Sequence, residues 1–229
     1  MVSDLNLDGA RAVAADITAA GGSAIAVHAD VSRKDEVQAL AASTRAHFGP
    51  IDLFCSNAGV AFGSGIHASG QQWEKSWAVN VMQHVHAVQS VVPDMVRRRD
   101  GHLLITASAA GLLGAPGDAP YTVSKHAVIG LAEWLAVTYR PKGIGVSALC
   151  PLGVRTALLE PGIAAGHPTA LAIAALAPLL TPEEVAESAV QGLRKGEFLI
   201  LPHESVRSKY ADKARDVDAW IDRMIAGGH

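Results

Sequence analysis

The stretch IDLFCSNAG, residues 51–59, shows the pattern on which the fold prediction rests: a short apolar run that ends in small polar residues. The stretches HLLITAS at residues 102–108 and IGVSALCPLG at residues 144–153 repeat this pattern. Continuous apolar runs of this length are typical of strands that are buried on both faces in a parallel sheet covered by helices. Ligands of such sheets bind beyond the carboxyl ends of the strands, so the residues that follow each run are the first candidates for a site.

Amphipathic stretches of helical length alternate with the apolar runs, which predicts one α/β domain over residues 1–229 with a doubly wound, Rossmann-like parallel sheet. Further strands are predicted at Met1–Asp4, Ala24–Ala29 and Phe198–Leu201. Predicted helices cover residues 7–20, a segment capped by Ser32 that ends at Gly49, residues 71–98, residues 121–139, a segment that begins in the capping box Thr181–Glu184, and about 205–225.

Composition excludes several classes of protein. The chain has 229 residues, of which 49% are hydrophobic and 18% charged, enough apolar material for a core and too much for a disordered chain. The net charge of −3 and a longest basic block of Arg97–Arg99 argue against a nucleic-acid partner. The sequence contains neither a membrane-spanning run nor a signal peptide. Cys55 and Cys150 lie in apolar runs, so we expect two buried thiols and a cytoplasmic protein.

Tyr121 and Lys125 are four residues apart on a predicted helix and therefore share a face. A lysine ammonium one turn away favours the phenolate and would lower the tyrosine pKa, which makes Tyr121 a candidate general acid or base. Such a pair is more commonly an aromatic ring packed beside a solvated lysine. Ser108 ends a predicted strand, where a serine is most often a turn residue, and Asn80 lies unusually within a long predicted helix.

The motifs together resemble those of the short-chain dehydrogenase/reductase family, from Met1 to about Leu201. The matching residues, in the order and spacing of that family, are Asn57-Ala58-Gly59, Asn80, Ser108, Tyr121 with Lys125, and the Pro151–Thr156 turn.

The resemblance implies an NAD(P)-dependent enzyme that transfers hydride between a nicotinamide and an alcohol or carbonyl carbon. Tyr121 would exchange the proton with the substrate oxygen, and Ser108 would hydrogen-bond that oxygen. Lys125 would hold the nicotinamide ribose, and Asn80 would help hold a water that passes protons onward. Two donors placed at an oxygen that gains negative charge would stabilise the transition state.

The resemblance also implies a cofactor site. Asp4, at the end of the second strand of the family fold, would bind the adenosine ribose and repel the 2′-phosphate of NADP, so NAD is the preferred cofactor. No arginine follows directly, although Arg11 is near in sequence. The other cofactor contacts would be Asp30 and Val31 at the adenine, Asn57, Ala58 and Gly59 beside the cofactor, Val154 and Thr156 at the carboxamide, and Tyr121 and Lys125.

Two features depart from the family pattern. Leu152 stands where glycine is common and would narrow the pocket or line it with an apolar wall. The glycine-rich turn that holds the pyrophosphate is absent, together with the first strand and helix, so we expect the sheet to lack its first β-α unit between the strands that carry Asp4 and Asn57. We interpret the sequence as a shortened version of an active enzyme. The alternative is a pseudoenzyme that cannot bind dinucleotide and acts through partner contacts.

The remaining expectations concern substrate, assembly and metals. Residues 157–180, rich in Ala and Leu, suit an apolar lid, which favours an apolar alcohol or ketone; ordinary surface packing is the alternative. The resemblance implies a homodimer or homotetramer formed through the helices at 71–98 and 121–139. His84 and His86 are two apart and point to different faces of a helix, so no metal site is expected.

Overall fold

A computed structural model describes residues 1–115 and 117–227 of the chain. Residues 116, 228 and 229, which the predicted domain includes, lie outside the described part. The structure confirms the α/β class, because parallel strands alternate with helices along the chain. The strands are β1 (Val2–Asp4), β2 (Ala26–His28), β3 (Leu53–Ser56), β4 (His102–Thr106), β5 (Gly145–Leu149) and β6 (Leu199–Ile200).

Helices connect the strands and cover the sheet. The α-helices are α1 (Leu7–Ala19), α2 (Lys34–Phe48), α3 (Gly70–Trp77), α4 (Gln83–Arg98), α5 (Ala110–Leu113), α6 (Ala119–Tyr139), α7 (Glu160–Ala164), α8 (Pro168–Leu176), α9 (Pro182–Lys195), α10 (Ser205–Arg215) and α11 (Val217–Ile225). None of these helices combines the length and the apolar character that a membrane crossing requires.

The strands form two separate parallel sheets. One contains β1 and β2, and the other has the order β3-β4-β5-β6. Within the described ranges, no backbone pairing joins β1 to β3, so the division falls where the sequence predicted a missing strand. The free edge of β3 leaves Leu53 44% exposed and also exposes Cys55, whereas Cys150 is buried. The prediction that both thiols are buried is therefore wrong for Cys55.

The core lies on both faces of the four-stranded sheet. On one face, α4 and α6 pack against β4 and β5, and Met95, Leu135 and Val146 are completely buried there. On the other face, Val185 of α9 packs against Leu104 and the neighbouring strands. Helices on both faces are the doubly wound arrangement that the continuous apolar strands predicted.

Three local features differ from the sequence predictions. The helix expected over 71–98 contains a π-helical turn, Ala78–Met82, between α3 and α4. Helix α2 has Arg33 at its N-cap, because the Ser32 hydroxyl instead donates to Asp30 Oδ1 at 2.6 Å. The predicted C-terminal helix is divided at Asp216, whose carboxylate accepts the N–H of Ala219 and caps α11.

Gly111 allows α5 to approach α6 closely. A Cβ atom at this position would overlap the backbone carbonyl of Lys125, and it would lie 3.0 Å from Ile129 Cγ1. The absence of a side chain at Gly111 thus permits the packing that holds the Lys125 backbone in place.

We predict that Gly111→Ala lowers the free energy of unfolding by at least about 2 kcal/mol, because one helix must move away from the other. The matched control is Gly130→Ala on α6, where a Cβ atom meets open space. This control should raise stability by up to about 1 kcal/mol, since alanine is the better helix former. Urea unfolding followed by circular dichroism measures both values, and equal stabilities of the two variants would contradict the packing described here.

Candidate active site

A cavity of about 320 Å³ lies between β1 and β3. It is the place where the sequence predicts that the adenosine half of the cofactor binds. Its lining includes the predicted cofactor residues Asp4, Asp30, Val31, Asn57, Ala58 and Gly59. The Asp4 carboxylate is exposed and accepts the N–H of Asn6 at 2.7 Å. The Ser32 hydroxyl is the main influence that lowers the pKa of Asp30. The cavity therefore carries negative charge near the ends of β1 and β2, with Lys75 as a cation in its wall.

The predicted catalytic residues form a second group, behind the Asn57–Gly59 turn. The Lys125 ammonium donates to the backbone carbonyl of Thr106 at 3.0 Å and lies 5.6 Å from the centre of the Tyr121 ring. The Ser108 hydroxyl donates to the Pro151 carbonyl at 3.4 Å and lowers the pKa of Tyr121. Gly59 lies between the cavity and the catalytic group. It lines the cavity, and a Cβ atom at this position would lie 3.8 Å from Lys125 Nζ. The structure thus brings Tyr121, Lys125 and Ser108 to one place, next to Gly59.

Asn80 connects the turn after β3 to helix α6. Its Oδ1 accepts the N–H of Val60 at 2.8 Å, and its Nδ2 donates to the Val60 carbonyl and to Ser124 Oγ, each at 3.0 Å. Ser124 in turn donates to the Tyr121 carbonyl at 2.9 Å. Both amide hydrogens of this completely buried side chain are therefore used to hold the protein's own backbone and helix.

Burial controls the protonation of this group. Burial lowers the pKa of Lys125 to about 8. It also raises the pKa of Tyr121, an effect larger than the lowering caused by the Ser108 hydroxyl. The expectation that Lys125 lowers the pKa of Tyr121 is not met in this structure, because desolvation of the phenol has the largest influence on that pKa. At neutral pH the arrangement therefore holds an un-ionised phenol beside a buried ammonium.

His84 is a further buried group that lies beneath these residues. Its Nδ1 is 2.8 Å from Ser56 Oγ, and burial together with the charge of Lys125 lowers its pKa to about 3. Across the described ranges, no three His, Cys, Asp or Glu side chains form a group that could hold a metal ion.

The turn after β5 and the predicted lid are hydrogen-bonded to each other. Val154 pairs with Leu180 in a parallel bridge, and the predicted lid segment forms α7 and α8. Gly153 is buried beneath that segment, and a Cβ there would overlap Leu179. Leu152 packs against the main core.

Sequence reasoning missed Asp118, which organises the entrance to α6. Its buried carboxylate accepts the N–H groups of Phe62 and Gly63, both at 2.7 Å, and that of Tyr121 at 3.0 Å. An aspartate two residues before Pro120 is a readable helix-start signal. The contacts with Phe62 and Gly63, by contrast, have no local signature in the sequence.

A parallel sheet with a tyrosine, lysine, serine and asparagine grouped at its carboxyl edge defines a class of nucleotide-dependent oxidoreductases. A sequence model described as short chain dehydrogenase matches residues 1–164. The chain belongs to the short-chain dehydrogenase/reductase family.

Individual relatives support this assignment. The chain is 36% identical over 137 residues to oxidoreductase UcpA of Salmonella typhimurium, covering 59% of this chain and 52%, about half, of that protein. It is 31% identical over 229 residues to 1-deoxy-11-beta-hydroxypentalenate dehydrogenase of Streptomyces exfoliatus, covering 95% of this chain and 78% of that one. A short chain dehydrogenase/reductase from Burkholderia phymatum, solved in complex with NAD, superimposes with a TM-score of 0.85 at 29% identity, covering 95% and 84% of the respective chains.

We predict that Lys125→Met changes the pH dependence of stability. The pKa of Lys125 lies below its ordinary value of 10.5, at about 8. Between these two pH values the unfolded chain binds more protons than the folded one, so wild-type stability gains with rising pH. Relative to wild type, the variant should therefore lose roughly 3 kcal/mol between pH 8 and pH 10.5. Urea unfolding at a series of pH values measures the difference.

The control for this experiment is Lys195→Met, because the Lys195 side chain is exposed at the end of α9. Its stability difference from wild type should stay constant across the same pH range. A constant difference for Lys125→Met as well would show that the Lys125 ammonium is not desolvated as described.

Proposed function

We propose that the protein is an NAD(P)-dependent oxidoreductase that interconverts an alcohol and a ketone or aldehyde. The observation that carries the proposal is the grouping of Tyr121, Ser108 and Lys125 behind the Asn57–Gly59 turn, in a chain that belongs to a dehydrogenase family. A bound nicotinamide would supply or accept the hydride.

In the proposed mechanism, Tyr121 moves the proton. Burial keeps its hydroxyl protonated at neutral pH, so the phenol can donate to a carbonyl oxygen as that oxygen gains charge. The Ser108 hydroxyl would donate a second hydrogen bond to the same oxygen and stabilise the charge. Lys125 would replenish the proton of Tyr121 and hold the ribose hydroxyls. Asn80 holds the turn at Val60 and helix α6 through its side chain, and it would also help hold a water that passes protons onward from Lys125.

The residues fit the two ends of a dinucleotide. Asp4, Asp30 and Val31 would hold the adenosine, and the Asn57-Ala58-Gly59 turn would lie beside the cofactor. Val154 and Thr156 would hold the carboxamide. Gly59 supports this fit, because any side chain there would fill the space beside Lys125. Among the described residues that line the cavity, however, Gly59 is the only glycine, so a glycine-rich pyrophosphate turn is not found in its wall.

NAD is the proposed cofactor rather than NADP. The exposed Asp4 carboxylate at the end of β1 would accept bonds from ribose hydroxyls and repel a 2′-phosphate. Arg11, the nearest arginine in sequence, is paired with Asp8 at 3.0 Å.

The proposed substrate is an apolar alcohol or carbonyl compound. Residues 157–180 would act as the lid, since this segment lies over the turn after β5. Leu159, Ile173 and Leu179 of the segment surround the position of a Cβ at Gly153. This apolar wall would favour substrates without charge near the reacting carbon. The setting we propose is the cytoplasm, where two free cysteines remain reduced.

The second candidate function is a pseudoenzyme that acts through partner contacts. The division of the sheet between β1 and β3 and the lack of a glycine-rich turn in the described cavity wall favour it. Titration with NADH, followed by nicotinamide fluorescence, separates the two candidates: saturable binding supports the enzyme, and no saturable signal supports the pseudoenzyme.

We predict that Tyr121→Phe abolishes turnover and leaves NADH binding nearly unchanged, because only the proton donor is removed. A panel of apolar alcohols and ketones with NAD(H) and NADP(H) provides the assay. Tyr139→Phe is the matched control at the other end of α6, and it should keep turnover within about twofold. Normal turnover by Tyr121→Phe would reject the assigned role.

The proposed homodimer or homotetramer would form through α4 and α6. An apolar stripe on α6 is exposed and includes Val123, Trp134 and Val137, the last of which is 79% exposed. Beside it, a cavity of about 420 Å³ is lined by residues of α4, among them Val88 and Val92, by Tyr139 at the end of α6, and by Lys142. Exposed apolar surfaces of this kind mark protein interfaces.

We predict that Val137→Glu weakens self-association by about a hundredfold or more in Kd, because association would bury an unpaired charge. Ile225→Glu on α11 is the control, since Ile225 is equally exposed but lies outside this stripe. Light scattering coupled to size-exclusion chromatography measures the mass of each variant. An unchanged oligomer in Val137→Glu would place the interface elsewhere.

A further inference from the structure

His203 lies just beyond the carboxyl end of β6, next to the turn that follows β5. Its side chain is 6% exposed, and both ring nitrogens are engaged. The Leu152 N–H donates to Nδ1 at 3.2 Å, and Nε2 lies 3.3 Å from the Pro178 carbonyl oxygen. One buried imidazole therefore connects the Pro151–Thr156 turn with the end of the 157–180 segment.

These two contacts require one protonation state. Nδ1 accepts a hydrogen bond and must be unprotonated, while Nε2 must carry the proton that is donated to Pro178. Burial lowers the pKa of His203 and outweighs the opposite effects of Glu184 and of the Pro178 and Gly153 carbonyls. At neutral pH the ring is thus the neutral tautomer that satisfies both partners.

Beside His203, the Pro151–Thr156 turn is hydrogen-bonded to Leu180 at the end of the lid segment, and we call these residues the base of the lid. The Leu180 N–H donates to the Gly153 carbonyl at 3.2 Å, and the Arg155 N–H donates to the Leu180 carbonyl at 2.9 Å. The segment therefore leaves the turn at Thr156 and returns to the same turn at Leu180. On the other side, the Pro151 carbonyl accepts the N–H of Ala109 at 2.9 Å. The base thus lies between the lid and the strand end that carries Ser108.

We infer that His203 is a positioning residue that fastens the base of the lid, and so sets the place of Val154 and Thr156 relative to Ser108. Leu152 lies in the turn before the 157–180 segment, and Pro178 lies near the end of the segment, 26 residues further along the chain. A single side chain that bonds to both ends limits how the segment can open. The consequence for catalysis rests on the proposed function, whereas the fastening itself does not.

Amide hydrogen exchange tests the fastening in three proteins: wild type, His203→Phe and His203→Gln. Phenylalanine fills the space without hydrogen bonds, and we expect exchange in residues 152–180 to rise roughly tenfold. The glutamine amide can both accept from Leu152 and donate to Pro178, so its exchange should stay within about threefold of wild type. Peptides from β4 and β5 serve as the internal control and should not change.

Two results would overturn the inference. One is equal exchange in His203→Phe and His203→Gln, and the other is faster exchange spread evenly over β4, β5 and the lid segment. If His203→Phe does not fold, ¹⁵N NMR of the wild-type imidazole still decides the question. We expect the proton on Nε2 with Nδ1 unprotonated, and the opposite tautomer would reject the assignment.

Steady-state kinetics connects the fastening to catalysis. In His203→Phe we expect KM for substrate to rise roughly tenfold with a smaller change in kcat, and His203→Gln should restore it. The same KM in both variants would contradict the positioning role. Failure of the proposed function would instead show as absent NADH binding and turnover in the wild type, a result that leaves the exchange and NMR measurements valid.

Discussion

The burial of one lysine, which is almost completely removed from water, determines the protonation and the packing of the residues around it. Lys125 is 2% exposed, and its ammonium donates to the Thr106 carbonyl. Gly111 makes room for the Lys125 backbone, because a Cβ atom there would overlap the Lys125 carbonyl, and a Cβ atom at Gly59 would lie 3.8 Å from the ammonium. Taking a charge out of water is costly, and this cost lowers the pKa of Lys125. The neighbouring His84 stays neutral because its own burial, together with the charge of Lys125, lowers its pKa. Such perturbed groups cluster at functional sites, in agreement with the proposed chemistry.

The division of the sheet is the second constraint. Within the part of the chain that the structure describes, β1 and β3 each have an unpaired edge, and both strands line the cavity that holds Asp4, Asp30 and the Asn57–Gly59 turn. Unpaired strand edges present free backbone groups that natural sheets usually cover. The catalytic group, in contrast, lies within the continuous four-stranded sheet and its helices. The chain therefore has a well-packed catalytic side and a less enclosed adenosine side.

The sequence predicted elements well where one strong periodic signal decided them. The apolar runs at β4 and β5 and the capping box at Thr181 appear as expected. The errors arise where the structure of a residue depends on a distant strand or on a competing hydrogen-bond partner. Cys55 is exposed because its strand edge is unpaired, and Ser32 does not cap α2 because Asp30 takes its hydroxyl. The prediction for the Tyr121 pKa was based on the charge of Lys125 and left out burial, which has the stronger influence on this pKa.

The sequence by itself determined the α/β class through its apolar periodicity, and the motifs between Asn57 and Thr156 carried the resemblance that implied the family and the candidate catalytic residues. The tertiary structure decided how those residues behave. Asp118 reaches the Phe62–Gly63 turn across 55 residues, and His203 bonds to Leu152 across 51. No local pattern encodes such contacts, since they follow from the way the whole chain packs. Burial, which determines the pKa of Lys125 and of Tyr121, is likewise a property of the folded chain only.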